Sequence, residues 1–337
     1  MARLGVAALR GGSAYAGDGP APVRANQDPS RLGHGWEATV VLFITTLLAS
    51  VGMVMVYSAS AVMAQTQGLA PHHFLLRQMS GVLVGFVALI VAAQLDYRRL
   101  RVLAWPILVA AVLMLLVVVM PGTESLAPRS NGARRWLLVG SVGIQPSEVA
   151  KLALIIWTAH LVVKKQDRLR SLRKGLAPFL LIWGLVAGLI MLQPDYSTAT
   201  LAVFLAVLVA YAGGARPGHF IALGIVTAPF LWAQVTSAAY RMDRIRAFLD
   251  PAADVSGLGY QINQSLIALG SGGILGRGFG QGQQKFGFLP EPHNDFILAM
   301  IGEEWGFAGV AILTVLFVAF ALVGYRIARG AADLFGS

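Results

Sequence analysis

Long apolar stretches recur along this chain, and they restrict it to folds that a lipid bilayer allows. Several approach or exceed the ~18–20 residues that a helix needs to cross the hydrocarbon core. Only 12% of the residues are charged, whereas soluble domains carry about 25%. The sequence therefore predicts an all-α polytopic membrane protein. Eight spanning segments are expected at 36–58, 74–94, 99–120, 146–163, 176–193, 197–213, 217–235 and 305–328.

Basic residues indicate the orientation of these segments. If every segment spans, the clusters at 96–101 and 164–174 fall on one side, together with the N-terminus and the arginines near the C-terminus. Positively charged loops remain in the cytoplasm, so this side is predicted to be cytoplasmic. Residues 1–35 are predicted to be a disordered cytoplasmic tail, 36–330 the membrane domain, and 331–337 a short tail. The outer side receives the 121–145 loop and a large loop at 236–304.

The net charge of +10 and the absence of cysteine narrow the classes of function. With this hydropathy, a basic surface favours anionic lipid headgroups as partners, and nucleic acid is not expected. Without cysteine, disulfides, thiol catalysis and cysteine metal sites are excluded.

Cations also occur on the predicted outer side, where they are normally scarce. Arg134 and Arg135 lie in the first outer loop, and Arg277 and Lys285 lie in the second. Long loops cross the membrane regardless of their charge, so these cations need no special role. The alternative is that they bind an anion at the outer leaflet, for which a guanidinium fork suits phosphate. Both interpretations remain open at this stage.

An acidic cluster follows the glycine-rich run 270–282 in the large outer loop. Glu291, His293 and Asp295 lie within Leu289–Phe296, and Glu303 and Glu304 follow within a few residues. A carboxylate in a partly desolvated cleft can act as a general base towards a hydroxyl. The spacing only weakly supports a resident metal site, although Mg²⁺ or Mn²⁺ bridging a diphosphate is an alternative. The glycines are expected to allow tight turns and close backbone approach to a ligand.

Two further polar segments begin predicted helices. Gln145-Pro-Ser-Glu-Val-Ala-Lys151 places Glu148 and Lys151 three residues apart, so they are expected to pair. They also suit the polar wall of a substrate cavity. In Gln193-Pro-Asp-Tyr196, Asp195 is expected to cap the sixth helix rather than to perform chemistry.

Taken in order along the chain, these motifs resemble the SEDS family of membrane proteins, and within it the cell-division branch more than the elongation branch. The resemblance rests on residues 53–60, 131–136, 145–148, 193–195, 259–273, 289–296 and 301–304. It implies a SEDS-type helical bundle, in which about eight of the usual ten spanning helices are present. The last two helices are expected to be missing.

The resemblance also implies a function. A peptidoglycan glycosyltransferase would polymerise lipid II and release undecaprenyl diphosphate, with Asp295 as the general base. The implied substrate-binding residues are Arg134, Arg135, Glu148, Lys151, Gln261, Arg277, Lys285, Glu291 and His293. The resemblance establishes no cofactor, and the candidate is a divalent cation, Mg²⁺ or Mn²⁺.

The implied partners are a class B penicillin-binding transpeptidase and other divisome proteins, and the implied location is the bacterial inner membrane at the division septum. Two alternatives remain: a lipid II flippase, and a polymerase of the elongation type. A transporter is expected to show internal repeats and broken helices near the midplane. No internal repeat is evident, which favours the enzyme.

Overall fold

The computed structural model describes residues 35–129, 133–140, 142–237, 239–250 and 257–337. The predicted tail at 1–34, and Asn131 and Gly132 of the first outer loop, lie outside these ranges. Helices and one short hairpin make up the described part. They are α1 (Trp36–Thr66), α2 (His73–Gln94), α3 (Tyr97–Val119), β1 (Leu137–Val139), β2 (Val142–Ile144), α4 (Pro146–Lys165), α5 (Ala177–Met191), α6 (Tyr196–Ala212), α7 (Pro217–Thr236), α8 (Ala239–Leu249), α9 (Leu258–Ser271) and α10 (Ile297–Arg329).

The predicted all-α membrane fold is confirmed. Within the described ranges, seven helices are long and apolar enough to cross a bilayer, and α6 is a shorter apolar helix. Together they match the eight predicted segments. The strands β1 and β2 pair antiparallel, with Leu137 opposite Ile144, and form a hairpin within the 121–145 loop.

One packing group consists of α3, α4, α5 and α6. Its centre holds a row of aromatic rings in edge-to-face contact, from Trp157 of α4 through Phe179 to Trp183 of α5. Trp183 donates a hydrogen bond from Nε1 to Thr158 Oγ1 at 3.0 Å, which satisfies a buried polar group. The face of α6 in this core is a stripe of buried alanines, which lets the helices approach closely.

A second packing group brings α1, α9 and α10 together. Met55 and Ala59 of α1 are fully buried beside Met300 of α10 and Ala268 of α9, and Leu289 completes this cluster. The acidic motif, Leu289–Phe296, is joined to this cluster at both ends, because Leu289 belongs to it and Phe296 packs against it.

Helix α2 differs from these helices because none of its residues is buried in the protein. It packs along α1. Its apolar side chains are therefore expected to face lipid, as they can in a membrane helix at no hydrophobic cost.

The large predicted loop at 236–304 contains more structure than expected. It includes α8, α9 and the first turns of α10, which begins at Ile297 instead of 305. Helices α8 and α9 were missed because they have 11 and 14 residues, too few to span a bilayer. The early start of α10 was missed because the charged Glu303 and Glu304 interrupt the apolar stretch. The helical geometry of α10 also breaks at Gly306, where φ is 67° and ψ is −165°.

The bundle has two distinct ends. The loop end carries the hairpin, the glycine-rich residues and the acidic motif. At the opposite, basic end, Arg326 of α10 pairs with Glu37 of α1 at 3.1 Å. The predicted tail 331–337 packs here against the start of α3, where the rings of Phe335 and Tyr97 stack.

Candidate active site

The glycine-rich loop, defined here as residues 272–288, packs against α10 where the helix breaks at Gly306. Because the helix is interrupted at Gly306, the N–H groups of Phe307 and Ala308 lose their helical acceptors. They donate instead to the carbonyls of Gly273 and Ile274, at 2.9 and 3.0 Å. Loop and helix are therefore joined through their backbones.

Two glycines of this loop lie where a larger residue would collide with α10. A Cβ at Gly272 would meet the carbonyl of Gly302, and one at Gly276 would meet the carbonyl of Glu304. Gly276 also has a φ of 81°, which favours glycine. At these two positions, the close approach is to the protein's own backbone.

Glu304 anchors the loop through its fully buried carboxylate. Its Oε1 accepts a hydrogen bond from Ser58 Oγ of α1 at 2.6 Å and lies 2.9 Å from Lys285 Nζ. Its Oε2 accepts from the N–H of Gly280 at 2.9 Å. The neighbouring carboxylate of Glu303 accepts from backbone N–H groups of the loop in the same way, at 2.7 and 3.2 Å. A buried carboxylate is tolerated only when it is satisfied in this way.

The ammonium of Lys285, like the carboxylate of Glu304, has hydrogen-bond partners within the protein. Its ammonium donates to Glu304 Oε1, to Gly280 O at 2.7 Å and to Ser58 Oγ at 3.2 Å. A lysine has three N–H donors, so a direct contact with substrate would require one of these bonds to break. Arg277 is exposed, but its Nη1 lies 3.8 Å from the Glu303 carboxylate and its Nε donates to Ser271 O at 3.3 Å.

A polar cavity of about 680 Å³ opens between α1, α2, the hairpin and the acidic motif. It is large enough for part of a substrate and is bounded by polar side chains from three separate segments. Its lining residues are Val56, Met63, Gln67, Phe74, Arg77, Gln78, Trp136, Glu291, His293 and Asn294. The structure therefore brings Glu291 and His293 to one site, as the sequence suggested.

The acidic motif forms a tight turn on one wall of this cavity. Glu291 has a φ of 48°, a left-handed conformation that is uncommon outside glycine. Its carboxylate accepts a hydrogen bond from Asn294 Nδ2 at 3.0 Å and lies 3.9 Å from His293 Nε2. Strained backbone of this kind concentrates at functional sites.

His293 is buried beside the ring of Phe74 of α2, with 4.6 Å between the ring centroids. Its burial lowers the pKa of the imidazole below the ordinary value, although the carboxylates of Glu291 and Asp295 act in the opposite direction. His293 is therefore neutral at pH 7, and an imidazole in this state can orient a hydroxyl by hydrogen bonding. Its Nδ1 has no partner among the described residues.

Asp295 follows the lining residue Asn294 and is exposed. Its backbone N–H donates to Glu291 O at 3.2 Å. The first residue before α10 is Phe296, and no side chain caps this helix end. Because Asp295 does not act as a cap here, its carboxylate is left available for a ligand.

An apolar cavity of about 290 Å³ adjoins the polar one. The two share Met63 and Glu291, and Phe286, Leu289 and Pro290 contribute apolar surface. The site can therefore hold a ligand that has a polar part and an apolar part.

Arg134 and Arg135 lie at the ends of two other helices. Arg134 donates to the carbonyls of Val119 and Met120 at the end of α3, at 3.2 and 3.0 Å, and pairs with Glu124. Arg135 donates to Gln193 O and Pro194 O, just beyond α5. Cations stabilise helix C-termini, so both arginines hold the hairpin to the bundle.

Three other predicted residues lie away from the polar cavity. Glu148 and Lys151 form the expected ion pair on α4, at 2.8 Å. Gln261 lies on α9 and is partly buried. Asp195, as expected, caps α6 by accepting from the N–H of Thr198 at 3.2 Å.

The cavity also contains polar residues that sequence reasoning missed, namely Gln67, Arg77, Gln78 and Trp136. A charged residue inside an apolar span is a functional signal, so Arg77 could have been found in this way. Gln67 and Gln78 carry no comparable signal, whereas Trp136 ends the 131–136 segment on which the family resemblance rests. Among the described residues, no group of three His, Asp or Glu could hold a metal ion.

Comparison with known proteins places this chain in a family. Curated relatives include a probable peptidoglycan glycosyltransferase FtsW of Geobacter metallireducens (strain ATCC 53774 / DSM 7210 / GS-15), 40% identical over 88% of this chain and 78% of the relative. The stage V sporulation protein E of Bacillus subtilis (strain 168) is also 40% identical, over 88% of this chain and 81% of that protein.

Solved structures show the same fold. A chain of a peptidoglycan synthase complex, described as coordinating polymerization and crosslinking, matches with a TM-score of 0.68 and 28% identity, covering 91% of this chain and 82% of that one. The rod shape determining protein RodA of Thermus thermophilus matches with a TM-score of 0.60 and 25% identity, over 92% and 81%. The profile of the FtsW, RodA and SpoVE family of cell cycle proteins matches residues 38–337, and the chain belongs to this family.

Proposed function

We propose that this protein is a peptidoglycan glycosyltransferase that polymerises lipid II during cell division. The observation that carries the proposal is the joined pair of cavities, one polar and one apolar, that meet at Glu291. Lipid II has a disaccharide-pentapeptide and an undecaprenyl chain, joined through a diphosphate. The polar part matches the larger cavity, and the apolar cavity provides a start for the polyprenyl chain. Two relatives that are 40% identical to this chain are named as probable peptidoglycan glycosyltransferases.

In the proposed reaction, Asp295 accepts the proton of the acceptor sugar hydroxyl. The oxygen attacks the anomeric carbon of the growing glycan, the bond from that carbon to the diphosphate oxygen breaks, and undecaprenyl diphosphate leaves with the electron pair. Asp295 suits this role because it is exposed, directly follows the lining residue Asn294 and caps no helix. Neutral His293 and Asn294 would orient the hydroxyl. A divalent cation carried by the diphosphate would offset its charge.

The proposal places the loop end at the outer leaflet and the N-terminus in the cytoplasm, following the basic residues of the opposite end. Because the chain has no cysteine, a cysteine at Ser125 should react with an impermeant reagent in intact cells. One at Ser171 should react only after permeabilisation. The reverse pattern would invert this orientation.

We propose a class B transpeptidase as the partner and the division septum as the location. A solved relative comes from a complex that combines polymerization with crosslinking. The elongation role is the alternative for this enzyme. A fluorescent fusion that is distributed along the side wall, rather than at midcell, would support that alternative.

The decisive experiment measures polymerisation of fluorescent lipid II by the purified chain in lipid nanodiscs, with and without the transpeptidase. Asp295→Asn keeps the shape of the side chain and removes its basicity, so it should reduce the rate by about 10²–10⁴-fold. Asp243→Asn removes an exposed carboxylate from α8 and serves as the matched control. If Asp295→Asn polymerises at the wild-type rate per folded molecule, Asp295 is not the base. Transbilayer movement of lipid II without polymerisation would support the flippase instead.

A further inference from the structure

Arg77 brings a permanent positive charge to the polar cavity from the α2 side. It lies near the start of an apolar helix, and its side chain lines the cavity with that of Gln78. Glu291 and His293 lie on the wall formed by the acidic motif. Among the described residues, no acidic side chain lies within ion-pair distance of the Arg77 guanidinium. This arginine is thus a cation without a partner at the edge of a membrane.

An arginine in this position has an ordinary explanation. Near the end of a membrane helix, its long side chain can reach phospholipid headgroups. Two features favour a more specific role. The exposed side chain of Arg77 lines the polar cavity, and the amides of Gln67 and Gln78 line the same cavity. Side-chain amides and a guanidinium together supply several donors for phosphate oxygens.

The engagement of the neighbouring cations strengthens this argument. Lys285 uses all three of its donors inside the protein. Arg134 and Arg135 are directed to carbonyl groups at the ends of α3 and α5. An anion that enters the cavity would therefore meet Arg77 as the cation whose donors are free.

We propose that Arg77 binds the diphosphate of the polyprenyl-linked ligand and so fixes the end of the cavity at which the leaving group lies. The identity of that ligand rests on the proposed function, whereas binding of a lipid-linked phosphate does not. The diphosphate would lie against α2, within the polar cavity. Charge that develops on the leaving oxygen would then be stabilised by a fixed guanidinium.

The test uses the full chain in nanodiscs of phosphatidylcholine and compares two probes, undecaprenyl diphosphate and undecaprenol, by native mass spectrometry. Arg77→Gln should weaken binding of the diphosphate by about 10- to 100-fold and leave binding of the alcohol unchanged. Arg77→Lys keeps the positive charge but loses the planar guanidinium, so it should weaken binding of the diphosphate less than Arg77→Gln does. Arg129→Gln, which removes an exposed arginine outside this cavity, is the matched control.

The outcomes separate the alternatives. Equal binding of the diphosphate by wild type and Arg77→Gln overturns the proposal, as does an equal loss for both probes. A second arm adds phosphatidylglycerol to the nanodiscs. If this lipid displaces undecaprenyl diphosphate from the wild type at equal mole fraction, Arg77 recognises headgroups in general and the proposal fails. Selective diphosphate binding by a chain that polymerises no lipid II would refute the proposed function and leave this inference standing.

Discussion

The buried pair of Lys285 and Glu304 offers a quantitative test of how the site is held together. Their side chains are 6% and 0% exposed, and 2.9 Å separates Nζ from Oε1. Lys285→Met would leave a buried carboxylate without its cation, and Glu304→Gln would leave a buried ammonium without its anion. Removing one partner of a buried ion pair costs about 3–5 kcal/mol, so each variant should lose about that much free energy of unfolding.

The double variant distinguishes pairing from independent contributions. Replacing both residues removes both charges, so neither is left uncompensated. We expect the double variant to lose about 2–3 kcal/mol less than the sum of the two single losses, the upper part of the range for directly contacting residues. Ser58→Ala, which removes a hydroxyl that donates to Glu304, should lose about 1.5–3 kcal/mol.

Reversible unfolding in mixed detergent micelles, followed by the fluorescence of the seven tryptophans, measures these free energies. The more exposed pair of Glu37 and Arg326, with side chains 24% and 65% exposed, is the matched control. Neutralising one of its members should cost less than about 1 kcal/mol, because water screens it. Single losses below 1 kcal/mol at Lys285 and Glu304, or losses that simply add in the double variant, would refute a buried, mutually dependent pair.

Two further predictions concern His293 and Arg134. Because burial lowers the pKa of His293, the unfolded chain binds more protons here, and stability should fall as pH decreases from about 7 through the ordinary histidine pKa of about 6.5. His293→Gln should show a shallower fall in unfolding free energy between pH 7.5 and 5.5, and an identical slope would contradict a neutral buried imidazole. Arg134→Gln removes a cation from the end of α3, so it should lower the unfolding free energy by about 0.3–2 kcal/mol. Weaker lipid II binding without a loss of stability would instead support the diphosphate contact expected from the sequence.

Local signals made several elements predictable. Apolar stretches of bilayer length gave the membrane helices because a helix in lipid must be apolar over its whole span. Pro146 at the start of α4 and Asp195 before α6 are short-range signals, and both helices begin where those residues predict. The acidic motif could be singled out because carboxylates are rare in such a chain.

Contacts between distant parts of the chain could not be predicted in the same way. Ser58 and Glu304 are 246 positions apart, and no local pattern indicates that they meet. The docking of the glycine-rich loop depends on the break at Gly306, which apolar periodicity conceals. Lys285 and Arg134 could be recognised as unusual cations, but their partners are set by packing. Sequence alone therefore identified the charged residues without showing which charges are already neutralised.

The exposed character of α2 makes the bilayer a structural component of the site. One wall of the polar cavity belongs to a helix with no buried residue, which packs along α1. Lipid chains must therefore supply the lateral pressure that keeps this wall in place. A thinner bilayer, or a detergent that packs loosely around α2, should change the width of the cavity without altering any residue that lines it. We therefore expect the catalytic rate to depend on the acyl-chain length of the surrounding lipid, because chain length affects the position of α2.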